Sequence, residues 1–423
     1  MSSRYSGAGA SPFPPGFHWG VATSAFQLEG SPNADWATWD KALLDHPQVT
    51  HHYELYKDDL KLLKDLGVNA YRFSIEWSRI QPAEDTWDES AVAHYQEIVD
   101  ILRGYGIEPM VTLHHFTHPR WFIERYPWHR DASRGKFLRF VEAMASSLRG
   151  VRFWNTFNEP YVILLGGYLE GCMPPGLRDV KRSLLALRNI FTCHGKAYDI
   201  IHAHVPGARV SVAHNMSAFA PWKRWNPLDR MLTRTAKYFY NHSIIDAFRT
   251  GVFVVKFPFS RPIDIEVPIK DKLDFFGINY YTRIHLRFNP FRKMGVELRH
   301  IDREGSGLTN LGWEVHPRGL EKVIRYASRL KVPLIVTENG IATHDTQRKT
   351  EYLKRHVDVL EHCLRQGYDV RGYYYWTLID NYEWLHGLDA RFGLYRVDFK
   401  TLKRIPTPAA TYYSYLIESR SGL

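Results

Sequence analysis

Cysteine is scarce in this sequence. Three cysteines, Cys172, Cys193 and Cys363, occur among 423 residues, and they are far apart and form no CxxC pair. This pattern argues against a disulfide framework and fits free thiols in a reducing compartment. Long apolar runs are missing too, and the N-terminal stretch MSSRYSGAGASPFPPG lacks the apolar centre of a secretory signal. We therefore expect a soluble, cytoplasmic protein without a membrane partner.

Clusters of one charge are also missing. The net charge is +10 and the isoelectric point is about 9.3, but Lys and Arg are scattered with no run of five or more. Nucleic-acid-binding proteins usually carry a basic patch or a basic stripe with interleaved aromatic residues. We interpret the excess charge as a solvated basic surface and predict no nucleic-acid partner.

Aromatic residues, in contrast, are abundant. They make up 14% of the chain and include 13 Trp and 25 Tyr. Such residues fill the core of most proteins, and they also stack on flat ligand faces such as sugar rings. Composition leaves both interpretations open.

Short apolar or aromatic runs alternate with amphipathic segments along the whole chain, which predicts repeated βα units. Consecutive βα units need parallel strands with right-handed crossovers, and eight of them close most simply as a (β/α)8 barrel. An open doubly wound sheet is the alternative, but no GxGxxG or GxxxxGK[ST] loop follows a strand. We predict a flexible segment over 1–12 and one barrel domain over 13–423. The predicted strands cover 18–27, 69–77, 107–116, 152–160, 209–216, 273–283, 333–340 and 370–380.

Enzymes with this barrel place their chemistry on the C-terminal ends of the strands. Two predicted strand ends share one form, TFNEP at the fourth strand and VTENG at the seventh, and each delivers a glutamate. In a closed barrel, Glu159 and Glu338 would face each other across the mouth. Enzymes use such a pair of carboxyl groups to hydrolyse glycosidic bonds. A separation of about 5–5.5 Å between the two groups allows one of them to attack the sugar directly, with retention of configuration. The alternative is that each glutamate only forms a surface salt bridge.

Seven blocks of the sequence, in this order and spacing, closely resemble glycoside hydrolase family 1, the retaining β-glycosidases. The resemblance runs almost end to end. Its blocks are FHWGVATSAFQLEG (17–30), YRFSIEWSRIQP (71–82), TLHHFTHPRWF (112–122), WNTFNEP (154–160), LDFFGINYYTR (273–283), VTENG (336–340) and GYYYWTLIDNYEWLHGLDARFGLYRVDF (372–399).

The resemblance implies a role for each matching residue. Glu159 corresponds to the acid/base and Glu338 to the nucleophile, so we expect a raised pKa for Glu159 and an ionised Glu338. Support for the nucleophile is implied for Arg72, Tyr281 and Asn279. Sugar binding is implied for Gln27, His115, Asn158, Glu383 and Trp384, with Trp376 as the aromatic floor of the pocket and Phe116 on the wall towards the leaving group.

The segment HHFTH (114–118) raises the question of a metal site. Adjacent strand residues point to opposite faces, so His114 and His115 cannot easily share an ion. We expect His114 to pack in the core, and we predict neither a metal nor another cofactor.

The sequence also departs from the family in places. The chain is short, with reduced loops after the first strand and between the fifth and sixth, and Phe116 stands where many members have Trp. Glu383, Ala390 and Phe392 argue against 6-phosphorylated sugars, since a carboxylate repels phosphate. Glu159 argues against thioglucoside cleavage, for which family members carry Gln at that position.

We therefore predict an exo-acting, retaining β-glycosidase. It would remove terminal β-linked glucosyl, galactosyl or fucosyl residues from small β-glycosides or short oligosaccharides through a covalent intermediate on Glu338. A non-catalytic carbohydrate-binding barrel and a transglycosidase are the alternatives.

Overall fold

The computed structural model describes residues 11–39, 48–256, 261–292 and 295–421. Eight parallel strands form a closed barrel, which confirms the predicted architecture. Around the barrel their order is β1, β13, β12, β9, β5, β4, β3 and β2. These strands are β1 (His18–Ala22), β2 (Ala70–Ser74), β3 (Glu108–Thr112), β4 (Phe153–Asn158), β5 (Arg209–Asn215), β9 (Phe276–Asn279), β12 (Leu334–Asn339) and β13 (Val370–Trp376).

Helices connect the barrel strands, and several begin at a side-chain cap. Asp88, Asp179, Asn226 and Asp345 each accept backbone N–H bonds from the first turn of the helix that follows. The outer helices are α2 (His52–Asp65), α4 (Glu89–Gly104), α6 (Ser133–Ser147), α8 (Val180–His204), α9 (Pro227–Lys237), α10 (Ser243–Thr250), α11 (Arg318–Ala327), α12 (Thr346–Arg365) and α13 (Pro408–Ser421). Short helices are α1 (Ala25–Glu29), α3 (Trp77–Ile80), α5 (Arg120–Arg125) and α7 (Pro160–Leu164).

Several barrel strands are shorter than the sequence predicted. The first was expected over 18–27 but ends at Ala22, and its continuation turns into α1. The second was expected over 69–77, and its last residue instead begins α3. Short buried helices and buried strands are both continuously apolar, so periodicity does not separate them.

Among the described residues, seven short strands outside the barrel were not predicted. They belong to a sheet of β6 (Ala218–Pro221), β10 (Arg283–Phe288) and β11 (Val296–Arg299), and to the pairs β7 (Val252–Val255) with β8 (Ile263–Glu266) and β14 (Tyr395–Val397) with β15 (Arg404–Pro406). β6 and β10 follow the barrel strands β5 and β9, so this sheet lies on the same side as the strand ends.

The barrel interior is filled by a compact apolar cluster that includes Ala70, Met110, Ile335 and Tyr374. Gly20 makes room for the Tyr374 ring, because a Cβ atom there would lie 2.5 Å from its Cδ1 atom. Residues 1–10 of the predicted flexible segment lie outside the described residues, so that boundary stays a prediction. No helix in the described ranges has the length and apolar character of a membrane span.

Candidate active site

Two glutamates stand at the C-terminal ends of barrel strands β4 and β12, which β5 and β9 separate. Glu338 is the fifth residue of β12, and Glu159 follows β4 directly. Pro160 begins α7, and Glu159 at its N-terminus adopts a left-handed conformation with φ of 44°. Both side chains are buried, with 6% of Glu159 and 3% of Glu338 exposed.

Glu338 is held by one cation and one phenol. Arg72 Nη1, from β2, donates to Glu338 Oε1 at 2.6 Å, and the Tyr281 hydroxyl donates to Oε2 at 2.6 Å. Burial raises the pKa of Glu338, while Arg72 and Tyr281 oppose that rise by stabilising the anion. These partners favour a charged Glu338.

Glu159 has only neutral hydrogen-bond partners among the described residues. Its Oε1 atom accepts from Asn279 Nδ2 at 2.8 Å and from Asn215 Nδ2 at 3.0 Å. Burial, and then the negative charge of Glu338, raise the pKa of Glu159 to about 8. The surroundings of the two carboxyl groups therefore differ: those of Glu159 favour its protonated form at neutral pH, whereas Glu338 has a cation beside it.

Asn158 connects the Arg72–Glu338 ion pair to His115, which follows the neighbouring strand β3. Its Oδ1 atom accepts from Arg72 Nη2 at 2.7 Å and from Asn279 Nδ2 at 3.1 Å. Its amide nitrogen is therefore free to donate to His115 Nε2 at 3.0 Å. Burial, and then the charge of Arg72, hold the pKa of His115 well below its usual range, so this ring is neutral.

Gln27 and Glu383 form a second polar group at the site. Gln27, on α1, donates from Nε2 to Glu383 Oε2 at 3.2 Å and to the Tyr382 carbonyl at 2.8 Å. The other amide atom of Gln27, Oε1, is buried without a hydrogen-bond partner among the described residues. Burial, and then the charge of Glu338, raise the pKa of Glu383 to about 8.

Aromatic rings surround these polar groups. The His115 ring lies nearly parallel to Trp376 at 5.8 Å between centroids and to Trp384 at 6.2 Å. Phe116 packs edge-on against Trp384 at 5.2 Å. A site with opposed carboxyls, several amides and indole faces suits a polyhydroxylated ring, which has both hydroxyl groups and an apolar face.

Comparison with known proteins decides the family. The family model for glycosyl hydrolase family 1 matches residues 10–421. The chain belongs to glycosyl hydrolase family 1. It is 30% identical to beta-glucosidase A of Thermotoga maritima over 96% of this chain and 98% of the relative. It is 29% identical to a beta-galactosidase of Pyrococcus woesei over 93% and 94% of the two chains.

Solved structures agree with this assignment. A beta-glycosidase from Pyrococcus horikoshii superposes with a TM-score of 0.88 at 36% identity, covering 97% of this chain and 95% of that one. A beta-glucosidase from Thermotoga maritima in complex with glucoimidazole has a TM-score of 0.88 at 29% identity, with 97% and 99% covered. The prediction of a glycoside hydrolase, and of a retaining exo-β-glycosidase, is confirmed; the alternatives gain no support.

All the residues that the family 1 resemblance selected lie together in this structure. One connected network holds Glu159, Glu338, Arg72, Tyr281, Asn279, Asn158 and His115. The rings of Trp376, Trp384 and Phe116 adjoin it at His115. Glu383, which pairs with Gln27, lies close enough to Trp376 and Glu338 for both to act on its pKa. Gln27 reaches the site from α1 and not from a strand, which corrects the expected placement at the end of a longer first strand.

Sequence reasoning missed Asn215, a direct partner of the Glu159 carboxyl. It is the last residue of β5, so the strand-end rule applied to RVSVAHNM (209–216) would have found it. The same rule could not have found Tyr240, whose hydroxyl donates to Asn215. Tyr240 lies on a π-helical turn over Tyr238–His242 and not at the end of a strand.

The histidines of HHFTH have different partners, although the rings of His114 and His118 lie 4.7 Å apart. The His114 ring packs against Trp128 and Phe157, and neither ring nitrogen has a hydrogen-bond partner among the described residues. His118 Nδ1 instead pairs with Asp35 Oδ2 at 2.7 Å. In the parts of the chain that the structure describes, no group of three or more His, Cys, Asp or Glu side chains could hold a metal ion.

Proposed function

We propose that Glu159 and Glu338 divide a double displacement between them. The Glu338 carboxylate attacks the anomeric carbon while Glu159 gives its proton to the departing glycosidic oxygen. This step leaves a glycosyl ester on Glu338 and a negative Glu159. Glu159 then takes a proton from water as the water oxygen attacks the ester-bound carbon, and both carboxyls return to their starting states.

One observation carries this assignment. Glu338 contacts a guanidinium and a phenol, whereas Glu159 contacts two neutral amides. A nucleophile must be ionised and an acid must be protonated at the same pH, and this difference in partners favours that division. Tyr281 and Arg72 support the nucleophile, and Asn279 lies between the two carboxyls.

The substrates we propose are small β-glycosides or short oligosaccharides with a terminal glucosyl, galactosyl or fucosyl residue. Glu383 and Gln27 would bind the hydroxyls of that sugar, since carboxyl and amide groups both suit vicinal hydroxyls. Asn158 and His115 would bind the hydroxyls nearest the acid, Trp376 and Trp384 would cover the sugar, and Phe116 would contact the leaving group. We also propose a cytoplasmic location, supported by the free state of Cys172, Cys193 and Cys363.

Substitution of each carboxyl tests the mechanism. Glu338→Ala should abolish turnover of an aryl β-glucoside. Glu159→Ala should lose most activity on substrates with poor leaving groups and should regain activity with azide, which needs no general base. Glu108→Ala is the control, because this residue lies at the opposite end of β3 and pairs with Arg152 at 3.3 Å. Near-wild-type turnover by Glu338→Ala would refute the mechanism.

A panel of substrates tests the sugar preference. Initial rates on aryl β-glucoside, galactoside, fucoside, mannoside and xyloside should be highest among the first three. Glu383→Ala should weaken all three preferred substrates, mainly through a higher KM. A preference for the mannoside or xyloside would contradict the proposed sugar set.

A further inference from the structure

The two oxygens of Glu159 have different surroundings. Oε1 accepts two amide N–H groups, from Asn279 and Asn215, whereas no described residue bonds to Oε2. A carboxyl oxygen that already accepts two donors cannot also carry the acidic hydrogen without losing one of them. The proton of neutral Glu159 therefore lies on Oε2, which is the atom left to face a substrate.

The amide of Asn215 is fixed from its far side. The Tyr240 hydroxyl donates to Asn215 Oδ1 at 3.1 Å, and the Ser217 hydroxyl approaches the same oxygen at 3.5 Å. An amide side chain can present either its oxygen or its nitrogen in a given direction. Because Tyr240 occupies the oxygen, the nitrogen of Asn215 must face Glu159.

Tyr240 is in turn tied to the barrel. His214, the neighbour of Asn215 on β5, donates from Nε2 to the Tyr240 carbonyl at 2.8 Å. The Tyr240 ring packs edge-on against Phe219 at 5.7 Å and against Tyr161 at 6.2 Å. The π-helical turn that carries Tyr240 is therefore held against β5, and its hydroxyl is held beside Asn215.

We infer that Asn215 and Tyr240 are positioning residues for the acid/base, forming a hydroxyl–amide relay that keeps the transferable proton on Glu159 Oε2. When Oε2 gives this proton to the leaving oxygen, the charge that develops on the carboxylate is stabilised at Oε1 by the same two N–H groups. When Oε2 later takes a proton from water, the relay returns to its first state. The inference rests on the proposed role of Glu159.

A hydroxyl group also orients Asn279, the other amide that donates to Glu159 Oε1. The Thr337 hydroxyl donates to Asn279 Oδ1 at 2.7 Å, so Asn279 also presents its nitrogen to Glu159. Each amide donor is thus oriented by a hydroxyl group. The two relays arrive from different strands, because Asn279 ends β9 and Asn215 ends β5.

Asn215→Ala and Tyr240→Phe test the relay. Loss of the Asn215 N–H removes a group that stabilises the anion, so the pKa of Glu159 should rise and the alkaline limb of kcat/KM should move to higher pH. Hydrolysis of aryl β-glucosides with poor leaving groups should fall roughly 10-fold, a part of the ~10²–10⁴-fold that a positioned general acid contributes. Dinitrophenyl glucoside, which needs little protonation, should be nearly unaffected in its glycosylation step.

Tyr240→Phe should have a smaller effect of the same kind, because it frees the Asn215 amide to turn. The double variant should be no worse than Asn215→Ala, since the two residues act in series. Tyr161→Phe is the matched control. The Tyr161 ring packs against Tyr240, but its hydroxyl bonds to Ser243 at 2.7 Å and takes no part in the relay. Thermal unfolding of each variant checks that the fold is kept.

Equal losses on good and poor leaving groups, with an unmoved alkaline limb, would overturn the inference. That result is distinct from failure of the proposed function, in which Glu159→Ala and Glu338→Ala would themselves stay active.

Discussion

Two buried carboxyl groups, Glu159 and Glu338, lie in one site with the half-buried Glu383, and their protonation states depend on each other. Burial and then the charge of Glu338 raise the pKa of both Glu159 and Glu383 to about 8. The charge of Glu338 is in turn stabilised by Arg72 at 2.6 Å. Arg72 therefore favours the charged form of Glu338, and that charge in turn favours the protonated forms of Glu159 and Glu383.

The pH dependence of kcat/KM follows from the raised pKa of Glu159. A raised pKa means that Glu159 is protonated below about 8 and loses its proton above it, so activity should fall on the alkaline side near pH 8. Glu383→Gln separates the two acids, because it removes one titrating group and leaves Glu159, the proposed proton donor. The variant should bind sugar more weakly yet keep an alkaline limb near the same pH. Disappearance of that limb would instead assign it to Glu383.

The charge of Glu338 can also be removed directly. Glu338→Gln should abolish turnover and should lower the pKa of Glu159, because a negative neighbour is the second cause of its rise. Carbon-13 NMR of labelled glutamate carboxyls in the variant and the wild type measures this shift. An unchanged pKa would mean that burial alone sets the protonation of Glu159.

At the scale of elements, the barrel strands act as the frame of the site. β2 supplies Arg72, and β12 supplies Glu338, and the neighbouring β13 ends in Trp376. Gly340 follows β12 at the point where the chain passes the Trp376 carbonyl, and a Cβ atom there would collide with that oxygen. The distance between Glu338 and Trp376 therefore depends on a glycine.

Gly340→Ala should push these two strand ends apart. Because the obstacle is backbone, it cannot move aside as a flexible side chain would, and we expect a loss of thermal stability together with a fall in kcat/KM of at least roughly 10-fold. Gly135→Ala is the control. A Cβ atom there would meet nothing within 4 Å, and alanine in helix α6 should be neutral or stabilising by about 0.5–1 kcal/mol. Full activity of Gly340→Ala would refute this account of the strand ends.

The elements also explain what the sequence could and could not predict. Alternating strand and helix patterns predict the eight barrel strands, and the strand-end rule leads to Glu159 and Glu338, because both depend on local order along the chain. The same rule led to Gln27, but on a first strand that was predicted too long, and Gln27 lies on α1. The contact from Tyr240 to Asn215 joins two segments that no periodic pattern relates.

At the scale of the whole molecule, the two ends of the chain meet where the barrel closes. β1 pairs with β13, and α13 covers this seam through the Tyr413 hydroxyl, which donates to the Gly20 carbonyl at 2.7 Å. A second link joins the C-terminal strand β15 to α2. Arg404 donates to both oxygens of Asp59, at 2.7 and 2.9 Å, and Asp59 is 1% exposed.

The ion pair between Arg404 and Asp59 should make the stability of the fold depend on pH. Burial alone would raise the pKa of Asp59, but His52 and Arg404 hold it below its ordinary value of 3.8. A lowered pKa gives stability that is present above 3.8 and is lost as the pH falls through the folded-state pKa. Arg404→Ala leaves the buried carboxylate with the His52 ring, at 2.8 Å, but without the guanidinium, and should cost up to about 3–5 kcal/mol at neutral pH. The loss should shrink in acid, where Asp59 can be protonated.

Chemical denaturation of Arg404→Ala between pH 3 and 7 measures this loss. Arg371→Ala is the matched control, because Arg371 pairs with Asp369 where 53% and 48% of the two side chains are exposed. A solvent-exposed pair of this kind contributes roughly 0–1 kcal/mol, so the control should unfold almost as the wild type does. Equal losses in the two variants would show that burial of Asp59 does not decide the strength of the link. A loss confined to Arg404→Ala, and largest near neutral pH, would establish the Asp59 pair as a clamp between the two ends of the barrel chain.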